Sequence, residues 1–247
     1  MRKVLIAVVT ALVLAITASA AFATHAWGNY HWARTSNPFT LKLGDNVTSA
    51  WDSYLNTASS QWSQSSVLDT MVVAGQSKGK CRQTAGRVEV CNGNYGNNGR
   101  LGVASIWASG DHITQGTVKL NDTYFASASY NTTGWRSLVT CQEVGHTFGL
   151  DHQDEDFNNA PIVPHTCMDY FSPSANETVG PNQHDYDELS LIYAHLDSTT
   201  TIGSSAGTAA GKAPPFSHAS RANGSVYRDR LPNGAVKTTF VFWTPKG

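Results

Sequence analysis

Charge is scarce in this chain: Asp, Glu, Lys and Arg make up 14% of 247 residues, against roughly 25% in an ordinary soluble protein. The 17 basic and 18 acidic groups nearly cancel, which argues against a chain-wide basic surface for nucleic acid. There are only four cysteines, none in a C-x-x-C spacing, so an all-thiolate zinc site is disfavoured. No second long apolar run follows the N-terminal one, which leaves nothing further to span a bilayer. What is present is 25 Phe, Trp and Tyr residues, enough to build a core and to exclude disorder throughout. The 21 glycines, with many Ser, Thr and Asn, point to one turn-rich domain, expected to be a monomer.

Met1-Arg2-Lys3 leads into an apolar stretch from Val4 to Ile16, and Ala18-Ser19-Ala20 and Ala21-Phe22-Ala23 offer small-x-small cleavage sites. Residues 1–23 therefore read as a secretory signal peptide, too short to serve as a membrane span. The mature protein is expected outside the cell and off the membrane, where an even number of cysteines persists as disulfides. Cys81 and Cys91 flank a short segment with Ala85-Gly86 as a turn, so the simplest pairing staples a hairpin and leaves Cys141 for Cys167.

The order of elements is mixed, which gives an α+β fold class. Strands are expected over Phe39 to Leu43, Leu68 to Ala74, Leu101 to Ala108 and Ile113 to Leu120, from alternation and bounding turns. From Val47 to Trp62 the residues Val47, Trp51, Leu55, Ala58 and Trp62 share one helical face, with Asp45 or Asn46 as the N-cap. Further helices are expected over Trp135 to Phe148 and Gln183 to Leu196. The domain so defined spans residues 24–197. A Ser/Thr/Gly/Ala-rich linker covers 198–215, and a basic tail, 216–247, carries Asn233-Gly234 as a hairpin signal.

The chemistry is concentrated between residues 141 and 170. Gln142-Glu143-Val144-Gly145-His146-Thr147-Phe148-Gly149-Leu150-Asp151-His152 has the spacing H-E-x-x-H-x-x-G-x-x-H with Gln in the first position. On a helix, positions 142 and 146 face the same way and can approach one ion, while Glu143 lies about 100° around the axis and can reach a water beside it. Gly149 permits the left-handed turn that brings His152 back to the same ion. Three protein ligands leave a fourth zinc position open, the arrangement of a catalytic site.

These residues resemble the metzincin clan of secreted zinc endopeptidases. Cys167-Met168-Asp169-Tyr170 is similar to the Met-turn of that clan, and Tyr170 matches the tyrosine of astacin-like and serralysin-like members. The helix from His184-Asp185-Tyr186 onward is similar to the last helix of matrixin-type domains. The resemblance implies a twisted mixed sheet, an active-site helix, a Met-turn and a C-terminal helix. It implies Zn2+ on Gln142, His146 and His152, with Met168 packing beneath. Glu143 would be general base, Tyr170 would stabilise the oxyanion, and the substrate would be a protein or peptide. Gln142 departs from the pattern, and a carboxamide oxygen is a weaker zinc donor than imidazole. Two outcomes follow: an active endopeptidase with a more Lewis-acidic ion, or a secreted binding or structural module without catalysis. The strand near Gly116 to Leu120 is the expected sheet edge for an extended peptide.

Other groups read more plainly. His25, His31, His112, His165, His184, His195 and His218 lack ligand spacing and are expected in surface or hydrogen-bonded roles, His165 near the site through its neighbour Met168. Asp151, Asp154, Glu155 and Asp156 offer oxygens to a calcium ion, but without the EF-hand pattern a solvated acidic turn is the simpler reading. Trp27, Trp32, Trp51 and Trp62 are expected in the core rather than stacked on sugar. Residues 24–197 hold 9 basic and 17 acidic groups, and 198–247 hold 6 and 1. From Glu143 to Asp197 there are eleven acidic residues and no Lys or Arg, a field that favours cations and offers the basic tail a surface to dock on.

Overall fold

A computed structural model describes residues 24–77, 81–204 and 224–245; the expected signal peptide, most of the linker, the start of the tail and His218 lie outside them. The strands are β1 (His31–Trp32), β2 (Phe39–Asn46), β3 (Leu68–Ala74), β4 (Val88–Gly93), β5 (Arg100–Ser109), β6 (His112–Asn121), β7 (Val226–Arg230) and β8 (Val236–Trp243). The helices are α1 (Asp52–Trp62), α2 (Asp122–Phe125), α3 (Thr133–His146) and α4 (Gln183–Ile192).

Period-two alternation builds the sheet: in β2, Phe39, Leu41 and Leu43 are buried while Thr40 and Lys42 are exposed. The strand order is β3-β2-β4-β6-β5-β8-β7, with β1 added beside the start of β6. β2 runs parallel to β3 and β4, and β4 parallel to β6. β5, β8 and β7 follow antiparallel. The sheet is mixed and the fold is α+β, with α1 and α3 packed together over one face. Trp32, Trp51 and Trp62 lie wholly inside the core. Their indole N–H groups find acceptors at Thr147 O, Asp122 Oδ1 and Cys141 O, which satisfies an otherwise buried donor.

Several boundaries differ from the sequence reading. Helix α1 begins at Asp52, because Asp45 and Asn46 stay in β2. There the Asn46 amide bonds Gly44 O and Glu89 instead of capping a helix. Helix α3 starts earlier, capped by Thr132, and ends at His146; α4 stops at Ile192, after an Asn182/Asp185 capping box. Cys81 and Cys91 are bonded, with Cα atoms 5.9 Å apart, but they staple no hairpin. Cys81 lies in a turn, and the neighbours of β4 are the parallel strands β2 and β6. The segment Gly116 to Leu120 is not a sheet edge either, since β4 and β5 flank it on both sides.

The largest difference concerns the tail. Its hairpin forms around Asn233-Gly234, with Gly234 at φ 82°, and β8 enters the main sheet beside β5, pairing Phe240 with Ala104 and Phe242 with Gly102. Phe240 and Phe242 are completely buried in the central core. The tail thus joins the sheet by backbone pairing with β5 and reaches the acidic stretch through aromatic packing on His146 and Tyr170, while Arg228 lies over Trp27 and Tyr30 and Lys237 over Trp107. Truncating a buried Phe removes its transfer energy and leaves a cavity. Phe240→Ala is expected to lower unfolding free energy by about 3–5 kcal/mol in a urea titration; an unchanged midpoint would show the hairpin to be a separate appendage.

Candidate functional site

Helix α3 carries the site into the interior and is fixed there on three sides. From above comes β5: a Cβ on Gly102 would meet Glu143 Oε1 at 2.5 Å. From below, a Cβ on Gly145 would strike Trp62 at 2.6 Å and Met168 Sδ at 2.8 Å, so a glycine is required there. The Cys141–Cys167 disulfide, with Cα atoms 5.8 Å apart, ties the helix to the segment bearing Met168. After His146 the chain turns at Gly149, whose φ of 104° suits glycine, and any Cβ there would run into the Tyr30 carbonyl oxygen. Trp27 N–H donates to Gly149 O and Leu150 bridges Ala26, so the N-terminal segment clamps the turn that aims His152.

Gln142, His146 and His152 are all buried. Gln142 Nε2 donates to Cys167 O at 2.7 Å. A carbonyl can face only the amide nitrogen, so Oε1 is the free end, and it has no partner among the described residues. His146 Nδ1 donates to Leu150 O at 2.9 Å, and His152 Nδ1 lies 2.7 Å from Glu155 Oε1 and 3.5 Å from Asp151 Oδ1. With His146 Nδ1 bonded to a carbonyl and His152 Nδ1 beside two carboxylates, the two Nε2 atoms face each other 3.0 Å apart. Such a pair must share a proton or bind a cation. Imidazoles whose second nitrogen is held by a carbonyl or a carboxylate are the usual zinc-ligating kind. With the unpartnered Gln142 oxygen they make a donor set that fits zinc.

Electrostatics follow from burial. Burial lowers the His152 pKa, but its pairing with Asp151 and Glu155 outweighs this and carries it up to about 9. Burial and the neighbouring His152 charge hold His146 well below the ordinary range. Burial pushes Glu143 up to about 8, against the His152 charge and the backbone N–H groups of Phe242 and Ala104. Burial beneath β5 and β8 thus favours the protonated form of Glu143. Phe240 stacks on the His146 ring, centroids 4.3 Å apart and planes within 6°. Tyr170 stacks on Phe242 at 4.5 Å, and its hydroxyl donates to Val241 O at 2.8 Å. A cleft of about 340 Å³ opens beside Tyr170, lined also by Glu155, Phe157 and Trp243.

The structure gathers Gln142, Glu143, His146, His152, Met168 and Tyr170 at one place, but Tyr170 is engaged by β8 rather than free. His165 turns away, pairing with Glu177 at 2.5 Å and packing on Phe171. The calcium reading is not supported. Glu155 serves His152, Asp151 accepts from His152 N–H, and Asp154 and Asp156 accept from local amides. Sequence reasoning missed Glu155, three residues after His152, as the partner that orients it. It also missed Phe240 and Val241, which no local pattern places over the site.

Among solved structures, the chain is similar to High choriolytic enzyme 1, a hatching enzyme zinc-protease from Oryzias latipes (medaka fish). The identity is 14% and the TM-score 0.36, covering 66% of this chain and 94% of that one. It is likewise similar to myroilysin, at 13% identity and a TM-score of 0.37, covering 70% and 99%. No protein-family model and no curated protein matches the sequence. The chemistry is therefore read from the side chains.

Partners that orient a ligating histidine are worth about 10–100-fold in metal affinity. Glu155→Gln is expected to weaken zinc binding at this site by that factor in competition with a chromophoric chelator. Unaltered affinity would mean that Glu155 does not orient His152.

Proposed function

We propose that the chain is a secreted zinc-dependent endopeptidase, closed in this conformation by its own C-terminal strand. The observation that carries the reading is the pair of His146 and His152 Nε2 atoms facing each other at 3.0 Å beside the unpartnered Gln142 oxygen. Zinc on these three residues supplies Lewis acidity that polarises a carbonyl and acidifies water. Export is supported by the N-terminal sequence and by the pairing of all four cysteines.

β8 stands where a peptide substrate would add. It lies antiparallel on β5, the strand-addition mode of extended peptides, and the Val241 carbonyl already accepts from Tyr170. When β8 leaves, the bond to Val241 O is lost and that hydroxyl turns to the oxyanion of an attacked carbonyl. Release also rehydrates Glu143. Its pKa then falls toward the carboxylate range, because burial is the main cause of its rise. The resulting carboxylate takes a proton from the attacking water and passes it to the leaving amine. The acidic composition from Glu143 to Asp197 favours basic peptides on approach.

A second reading, a module without catalysis, is favoured by the complete burial of Gln142 and of Glu143, the latter beneath β5 and β8. The two readings part on one pair of variants. Phe240→Ala, which loosens β8, should raise zinc-dependent cleavage of a generic protein substrate severalfold over the parent. Adding Glu143→Gln to it should remove the activity by at least about 100-fold, the scale of general-base catalysis, while zinc stays bound. No cleavage by Phe240→Ala, or cleavage that survives Glu143→Gln, overturns the proposal.

A further inference from the structure

A second cluster of donors lies where β1, the start of β6 and the chain beyond α4 meet. His112 Nε2 is 3.2 Å and His31 Nε2 3.4 Å from one oxygen, Asp197 Oδ1. His31, His112 and Asp197 have donor atoms all within 4.8 Å of one another. His195 joins them, its Nε2 3.3 Å from that of His31 and 3.7 Å from Asp197 Oδ1. Four donors about 2.0–2.1 Å from one ion at tetrahedral angles stand about 3.3–3.4 Å apart; the separations from Asp197 Oδ1 and between His31 and His195 lie near that edge, and His195 approaches the mutually close set of His31, His112 and Asp197 from the side of His31 and Asp197.

The surroundings orient the donors as ligands. His31 Nδ1 donates to Asn29 O at 2.7 Å, which in a neutral ring leaves the Nε2 lone pair directed at the cluster. Asp197 Oδ2 is held on its far side by the Arg34 backbone N–H at 3.1 Å and its Nη1 at 3.0 Å, so Oδ1 is the oxygen left to the histidines. The His112 and His195 rings stand nearly perpendicular to the His31 ring, with centroids 5.0 and 4.7 Å away. This packing lets several imidazole edges meet at one point. An open groove of about 420 Å³, lined by Gly28, Asn29, His31, Leu191 and His195 among others, gives an ion its way in.

We propose that His31, His112, His195 and Asp197 form a closed, structural zinc site, separate from the one on α3. Three imidazoles suit zinc, and with the carboxylate they leave no position for substrate. The site joins β1, the start of β6 and the chain beyond α4, pieces already linked by the β1–β6 pairing and by Arg34 on Asp197. It also braces the first site. Trp32, next to His31, bonds Thr147 O, and Tyr193, two residues before His195, bonds Phe148 O and the Trp32 N–H. Those are the carbonyls of the turn that aims His152.

The test counts zinc in the full-length mature chain, equilibrated with Zn2+ and then freed of loosely bound ion. The parent should hold about two ions per chain, and His146→Ala/His152→Ala should hold about one. His112→Ala and His195→Ala should each lose one ion, with unchanged circular dichroism at low temperature and a lower melting temperature. Cobalt in the His146→Ala/His152→Ala protein should give the visible bands of a tetrahedral ion, and adding His195→Ala should remove them. His195 is largely exposed, so that variant reads the site even if His112→Ala fails to fold. The proposal is overturned if no ion remains in His146→Ala/His152→Ala, or if His195→Ala leaves its metal content and cobalt spectrum unchanged. An ion-free histidine–carboxylate network would give that result. One ion in the parent that persists in His146→Ala/His152→Ala would retain this site and remove the one on α3.

Discussion

Two imidazole nitrogens 3.0 Å apart among buried residues constrain everything around them, because one ring is held by a carbonyl and the other lies against two carboxylates. Local sequence sets up the encounter: an i, i+4 step puts Gln142 and His146 on one helical face, and the left-handed Gly149 returns His152. Longer-range packing then holds it. Leu150 O and Glu155 fix the two Nδ1 atoms, Cys167 O turns the Gln142 amide so that its oxygen is the free end, and Met168 and Trp62 fill the space under Gly145. In such a place a cation between the rings removes the conflict and also supplies the chemistry.

The same packing makes access and stability oppose each other. Phe240 and Phe242 complete the core, and they also press on His146 and Tyr170. Ser225, just before β7, bonds Glu155, which orients His152. The hairpin therefore grips the site through His146, Tyr170 and the carboxylate behind His152. On the proposed reading, the site stays closed until β8 leaves β5, and the inhibitor is a strand of the same sheet.

The legible parts were those encoded locally. The glycine turn at Gly149, the alternating strands and the Asn233-Gly234 hairpin follow from residues near one another in the chain, and the two cysteine pairs are as expected although Cys81–Cys91 closes no hairpin. What was not legible depends on distant partners. β8 joins β5 across more than a hundred residues, and nothing in the run Val236 to Trp243 specifies that neighbour. The Asp45/Asn46 cap failed because strand pairing holds Asp45 and a bond to Glu89 holds Asn46 in the sheet. Histidines 31, 112 and 195 have no spacing to detect; the fold alone brings them to Asp197. Glu155 stood in plain view as part of an acidic run, but its i, i+3 relation to His152 matters only once His152 has a fixed orientation.

The central claim is that Gln142, His146 and His152 hold one zinc ion. Anomalous diffraction at the zinc edge, from crystals grown in saturating Zn2+, tests it most directly. The account predicts a peak about 2.0–2.2 Å from His146 Nε2, His152 Nε2 and Gln142 Oε1, with the Gln142 amide nitrogen still on Cys167 O. No peak between the two imidazoles, with their Nε2 atoms in direct hydrogen-bond contact, would contradict it.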